Sequence, residues 1–358
     1  MIYYYIIFLV SSLLSLLFEK KGKTIGVVLL ILLLSFFAGT RLNIDNDYLM
    51  YYKNLLYIED SLKDFNNREI SIEYNIFFLP HFFEIFFNSN TSVVRSVFLT
   101  FAILGVSTKL IAVKKYSDYF FLSVISYMSY LYFMMEMTTI RAGVAAGFYL
   151  LSIKALEEKN NKVFFALLAV CFFFHSSSIL FLLPWILNKL RLQIRYYYLL
   201  IFISFLSAVF KINVLTVLLL DRIFPRVDTY IKAMEWMKED ETNIFNFRTL
   251  FALLMVVLFA FFYKKLKDVK YFDLLFKIHM ISIILFFFLS TSAQVFSTRS
   301  FELLSVVQIL LYPMILKAFH PKLKILGWTL IFAFSLIQLY YIISVAEIYK
   351  PYKSWFFN

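Results

Sequence analysis

Arg141 stands in the stretch TTIRAGVAAGF, Thr138 to Phe148, beside a glycine-alanine run and between two long apolar segments. A charge in such a place costs several kcal/mol unless it is paired, hydrated or used, so it marks a candidate functional group. Arg41, Asp47, Glu73, His175 and Arg299 share this character, each near the end of an apolar run. A guanidinium stays charged and offers a planar fork of donors that fits phosphate oxygens. A histidine or an aspartate can accept the proton of a hydroxyl. Each residue also has a plainer reading. Arg299 has Glu302 one turn on as a partner, Arg141 has Glu136 or the water interface, and His175 can simply end a helix. Small residues follow Arg141: Gly143 and Gly147 are one turn apart, with Ala142, Ala145 and Ala146 around them. Such a face lets another helix, or a lipid chain, approach the backbone closely.

The elements that must position these groups are set by composition. The chain has 358 residues, 62% of them apolar, 21% aromatic and only 16% charged. A soluble domain would be near half apolar and about a quarter charged. Apolar runs recur from end to end, which predicts an all-α polytopic protein, one integral membrane domain over residues 1–358. Ile2 to Phe18 has no basic leader and no small-x-small site before EKKGK, so it reads as a retained helix. Cys171 is the lone cysteine, which excludes an internal disulfide and a thiolate metal cage.

Charge decides sidedness. The segments 19–23, 109–118, 154–162, 189–195, 264–270 and 317–324 hold 19 of the 35 Lys and Arg but 5 of the 23 Asp and Glu. The remainder holds 16 basic and 18 acidic residues. That asymmetry places the six basic loops in the cytoplasm, so the net charge of +12 is topological and implies no nucleic-acid partner. Threading the chain through them gives about 12 transmembrane helices, within a range of about 10 to 13. The spans run near 2–18, 24–39, 93–113, 119–137, 139–156, 163–175, 177–188, 196–211, 247–263, 271–290, 300–316 and 325–344, with both termini outward. Tyr74 to Phe87 is apolar, but crossing there would invert every later loop, so it reads as half-inserted on the outer side. Irregular backbone at that depth must line a protein cavity.

Two outward regions stand out. Residues 40–73 form one external loop; residues 214–246 form another, in which Ile231, Met234 and Trp236 interleave with Lys232, Glu235 and Lys238 as in an interfacial helix. Within the first, Asp45-Asn46-Asp47 reads as Asp-x-Asp. Two such carboxylates can hold Mg²⁺ with substrate phosphates. They suit a turn or helix cap better than a metal, and otherwise acid-base chemistry or contact with a substrate. The motif lies on the outer side, where nucleotides are absent, so the expectation is no metal and no cofactor. No Walker A, Rossmann or His-Glu-x-x-His pattern is present.

IRAGVAAGFYLLSIKALEEKNNKVFFALLAVCFFFHSSSILFLLPWIL resembles the central motif of the EpsG/Wzy-type polysaccharide repeat-unit polymerases. The matching residues are Arg141, Ala142 to Gly147, Phe174-His175-Ser176 and Leu183-Pro184. The early Asp-Tyr-x-x-Tyr element is matched by Asp47-Tyr48-Leu49-Met50-Tyr51, a glutamate-aromatic element by Glu73-Tyr74 without its usual proline and glycine, and a late arginine by Arg299. The resemblance spans roughly residues 35 to 305.

The resemblance implies a glycosyltransferase with a GT-C-like outward-facing cavity. Its donor would be an oligosaccharide on undecaprenyl diphosphate, its acceptor a second lipid-linked repeat unit, and its product O-antigen, capsule or exopolysaccharide. Membrane lipid and a chain-length regulator protein are the other implied partners. In that setting Arg141, Arg299 and Arg41 would bind the diphosphate, His175 or Asp47 would accept the proton, and Tyr48, Tyr51 and Glu73 would meet sugars. A glycan ligase is the neighbouring enzyme reading. A lipid-linked oligosaccharide flippase or other transporter is the alternative of another class, and it would carry charges along both halves of a cavity and show internal repeats.

Sidedness is directly testable. Single cysteines at Asn66 and Asn243 are expected to react with an impermeant maleimide in intact cells, while one at Asn160 stays protected. External labelling at Asn160 would overturn the topology.

Overall fold

The computed structural model describes residues 1–56, 74–218, 242–292 and 294–357. Glu73, Asn66 and the expected interfacial helix around 231–238 lie outside them. Among the described residues the protein is all-α, with no strand and one isolated antiparallel bridge between Arg41 and Ser354. The sequence reads as one membrane domain; the chain packs as two compact units, Met1–Ile179 with Tyr312–Asn358, and Leu180–Leu311.

In the first unit the helices are α1 (Ile2–Leu17), α2 (Lys23–Gly39), α3 (Tyr48–Leu56), α4 (Tyr74–Glu84), α5 (Asn90–Tyr116), α6 (Phe120–Ser126), α7 (Ile140–Glu157) and α8 (Asn161–Phe174). The second unit holds α9 (Leu182–Lys189), α10 (Ile194–Val209), α11 (Phe247–Phe261), α12 (Phe272–Leu289) and α13 (Gln294–Ser305). A 3₁₀ turn, Tyr312–Ala318, returns the chain to the first unit, where α14 (Lys324–Tyr340) comes next. Three helical stretches are long and apolar enough to cross a membrane: Asn90–Tyr116, Phe272–Leu289 and Pro321–Val345. The pair Gln294–Ser305 and Gln308–Ala318, bent by 40°, makes a fourth when taken as one span. Six further apolar helices are shorter. The expected seventh span is a 3₁₀ turn at Ser176–Phe181 followed by the eight residues of α9. At 1.5 Å per residue α9 is about 12 Å long, against about 30 Å of hydrocarbon. The half-inserted reading of 74–87 corresponds to α4, eleven residues with Pro80 inside.

The charge-based sides are kept apart within the first unit. At one end Tyr4 donates to the Lys350 carbonyl (2.7 Å), Arg95 lies over the Trp355 ring (4.7 Å) and Arg141 meets Tyr51. At the other, Lys114 donates to Thr24 (2.7 Å), the Phe121 amide to Glu19 (2.6 Å) and Tyr116 to the Leu151 carbonyl, while Lys317 pairs with Asp118. Arg95 and Lys114 both sit on α5, about 28 Å apart along its axis.

One residue counted with the cytoplasmic loop does not belong there. Lys109 is buried within α5, more than a turn before its end, and pairs with Glu136 at 2.6 Å. Its ammonium also donates to the carbonyl of Gly143 (2.6 Å), and Tyr127 donates to Glu136 (2.7 Å). Glu136 is therefore not the partner of Arg141. Hydropathy could not reveal this, because a lysine near a span end reads as a loop charge. Two π-helical turns, Tyr127–Leu131 and Met134–Thr138, prolong α6 and carry Tyr127 and Glu136 into this network. A π turn inserts one residue into the helical ladder and rotates the residues beyond it. The Gly143 and Gly147 face of α7 is consumed by this packing. A methyl at Gly143 would overlap the Met135 carbonyl, and one at Gly147 the Thr108 hydroxyl. Close helix packing, not a lipid chain, explains the glycines.

Removing one member of a buried ion pair strands the other charge, at a cost of about 3–5 kcal/mol, whereas replacing both with apolar groups is often nearly neutral. Glu136→Ala is thus expected to lower the thermal unfolding temperature of the purified protein sharply. Lys109→Met combined with Glu136→Met is expected to recover most of the loss, as read by melting in detergent.

Candidate active site

The short connection Thr40–Asp47 between α2 and α3 carries the first group. Arg41 is 1% exposed. Its Nε donates to Asp45 Oδ2 at 3.2 Å and its Nη1 to the Ala38 carbonyl at 2.9 Å. Its guanidinium lies 4.9 Å from the centre of the Phe98 ring and 5.9 Å from that of Tyr48, within reach of cation–π attraction. Asp45 is also buried, and its other oxygen accepts the Asp47 amide at 3.1 Å. Asp45-Asn46-Asp47 is therefore a turn closed by its own side chain, with both Asp45 oxygens engaged by protein donors. Burial pushes the Asp45 carboxyl up from the usual carboxylate range, and the adjacent Arg41 charge pulls it back only in part.

The turn delivers the chain into α3. Tyr48 stacks on Phe98, ring centres 5.1 Å apart, and Tyr52 stacks on Tyr48 at 6.0 Å. Tyr48 and Tyr51 are 3% and 4% exposed, so neither presents a flat face to a sugar. Tyr51 instead accepts from Arg141 Nε at 3.3 Å, and its ring lies 5.3 Å from that guanidinium. Arg141 itself is half-buried at the first turn of α7. Asp47, half-buried too, precedes the two tyrosines. The structure thus divides the expected residues by access: Arg41, Tyr48 and Tyr51 lie inside and hold the architecture, while Asp47 and Arg141 remain reachable.

His175 closes α8 as its C-terminal cap, extended at φ −153° and ψ 116°. The residue is half-buried, with its Nε2 enclosed. The helix α8 returns beside α7 through a tight link, with Cys171 donating to the Ala145 carbonyl at 3.3 Å and Phe174 stacked on Phe148. His175 therefore ends α8 at the end of the unit where α7 begins with Arg141. Asn75, on α4, donates to the carbonyls of Phe173 (2.8 Å) and Phe174 (2.6 Å), satisfying helix-end acceptors that α8 leaves open. Sequence reading missed Asn75, since a lone amide in an apolar run has no signature until its partner is known.

Arg299 belongs to the second unit, on α13. It pairs with Glu302 at 3.3 Å, as the plainer reading expected, and Arg248 at the start of α11 pairs with the same carboxylate at 3.0 Å. Glu302 is 4% exposed while both arginines are half-buried. Two guanidiniums are thereby steered by one buried carboxylate. Arg248 was missed although its signal matched that of Arg299, an arginine opening an apolar span. Glu73 lies outside the described residues.

The model of the EpsG family matches residues 24–354. No curated protein and no solved structure matches the chain. The match runs through both units and takes in the loop of Asp47, the start of α7, the end of α8 and Arg299, so the chain belongs to the EpsG family.

Proposed function

We propose that this protein joins oligosaccharide repeat units carried on undecaprenyl diphosphate into a surface polysaccharide at the outer face of the bacterial cytoplasmic membrane. Family membership and the apolar helices support the general part, a membrane polymerase of polysaccharide biosynthesis with glycosyltransferase-like chemistry. The finer reading rests on the reachable charges. A sugar hydroxyl of the acceptor attacks the anomeric carbon of the donor. The glycosidic bond forms as the bond from that carbon to the diphosphate oxygen breaks, and the electron pair leaves with the lipid diphosphate. The hydroxyl proton passes to His175 or Asp47. Negative charge therefore grows on the diphosphate, where a guanidinium fork is the best-matched donor. A fixed donor aimed at developing charge is worth roughly 3–4 kcal/mol.

Arg141 carries the reading. It is half-buried and steadied by the Tyr51 hydroxyl and ring. Glu136, the acid nearest in sequence, is engaged by Lys109 and Tyr127. Arg299, held with Arg248 on Glu302, is assigned to the same chemical task in the second unit. Arg41 is assigned a holding role, because its side chain is enclosed by Asp45, Phe98 and Tyr48.

In cells making comparable amounts of protein, Arg141→Ala is expected to reduce the surface glycan to single repeat units, and Arg141→Lys to shorten its ladder. The lysine keeps the charge and loses the fork. Long chains from Arg141→Ala would refute the assignment. His175→Ala and Asp47→Ala separate the base candidates: the true base loses roughly 10²–10⁴-fold in polymerisation rate, and the other residue loses little. Unchanged rates in both would show that neither side chain takes the proton.

A further inference from the structure

The segment Tyr349–Phe357 lies across the connection that carries Arg41, Asp45 and Asp47, some three hundred residues away in sequence. The path is set locally. A π-helical turn, Tyr341–Val345, ends α14, and Glu347 adopts a left-handed φ of 46°. Pro351 then forbids a helix and biases Lys350 to extended backbone. The extended chain pairs with the loop through the main chain: Leu42 N donates to the Lys353 carbonyl (2.9 Å), Trp355 N to the Thr40 carbonyl (3.0 Å) and Lys350 N to the Ile44 carbonyl (2.9 Å). Arg41 and Ser354 form the antiparallel bridge between them.

Side chains lock the same register. Tyr352 stacks on Phe37 with ring centres 4.0 Å apart and an interplanar angle of 9°, and its hydroxyl donates to the Phe37 carbonyl at 2.9 Å. Ser354 donates to Thr40 Oγ1 at 3.0 Å, and Arg95 covers the Trp355 ring. Ile44 is fully buried beneath this strap. A connection of eight residues has no ladder of its own, so its amides and carbonyls must find partners elsewhere. The strap supplies them.

We infer that Tyr349–Phe357 is a positioning strap for the active-site loop, with Tyr352, Ser354 and Trp355 as its positioning residues. By fixing Thr40, Leu42 and Ile44 it sets where the Arg41–Asp45 pair sits, and thereby where Asp47 and α3 emerge. The inference rests on the assignment of Asp47 and Arg141 to polymerisation, and the test reads loop placement separately from activity.

The probe is an impermeant maleimide applied to intact cells expressing Ile44→Cys in a Cys171→Ala background. With the native strap this cysteine is expected to stay protected. Trp355→Pro deletes the amide that donates to Thr40, and Tyr352→Ala deletes the stack. Each is expected to raise the labelling rate about tenfold, the scale of one lost backbone hydrogen bond, and to shorten the glycan ladder while the protein remains in the membrane. Tyr352→Phe keeps the stacked ring but loses the hydroxyl bond to the Phe37 carbonyl, and is expected to label more slowly and to make longer chains than Tyr352→Ala. Protection that persists in both Trp355→Pro and Tyr352→Ala would overturn the strap. Labelling that rises while chains stay long would overturn its role in positioning the reaction. Loss of polymer in Arg141→Ala together with either result would leave the polymerase reading standing, so the two ideas fail separately.

Discussion

The buried pair of Lys109 and Glu136 is the constraint on which the first unit is organised. Two opposite charges inside an apolar bundle depend on hydrogen bonds beyond their own pairing. Here Tyr127 donates to Glu136 Oε1 and the Gly143 carbonyl accepts from Lys109, each from a different stretch of chain, while Glu136 Oε2 is buried without a hydrogen-bond partner. Meeting those demands needs the π turns after α6, since a regular helix would rotate Glu136 away from α5. It also needs α7 to come close enough for the Gly143 carbonyl to reach the ammonium. The glycine-alanine face permits that approach, and Arg141 starts α7 two residues before the carbonyl that Lys109 holds.

A division of labour results at the end of the unit where Arg141 lies. Ionisable and aromatic groups there form two classes. Arg41, Asp45, Tyr48 and Tyr51 are enclosed, with Arg41 held by Asp45 and lying near the Tyr48 ring. Asp47, Arg141 and His175 are half-buried, with Asp47 tied to Asp45 and Arg141 to Tyr51. Preorganisation of this kind matters when charge develops during a reaction, because a donor already in place need not reorganise at that moment. The second unit uses the same device in smaller form, with buried Glu302 aiming Arg248 and Arg299.

Helix–helix contact inside a membrane draws on packing and polar contacts more than on the hydrophobic effect. That fits the places where this protein puts its small residues and its polar interior. Ser152, Ser178, Ser282 and Ser305 are buried and each donates to a carbonyl of its own chain neighbourhood. Buried His279 approaches the Ala252 carbonyl at 3.3 Å and joins α12 to α11. The serines satisfy backbone acceptors where water is excluded.

By itself the sequence determined the all-helical class, many of the apolar helices and the family, and it offered a grouping of connections by charge. These are local or compositional properties: apolar run length, lysine and arginine bias, and short motifs around Arg141, His175 and Asp47. The plainer readings of Arg299 with Glu302 and of His175 as a helix end were also legible, because both partners lie within one turn. The pairings between distant segments needed tertiary structure. Lys109 with Glu136, Asn75 with the end of α8, Arg248 with Glu302, and the strap on Thr40–Ile44 join residues that share no pattern. Burial of Tyr48 and Tyr51 was hidden for the same reason, since an aromatic residue beside a polar loop suits a sugar-facing surface and a stacked interior equally until its neighbours across the bundle are known.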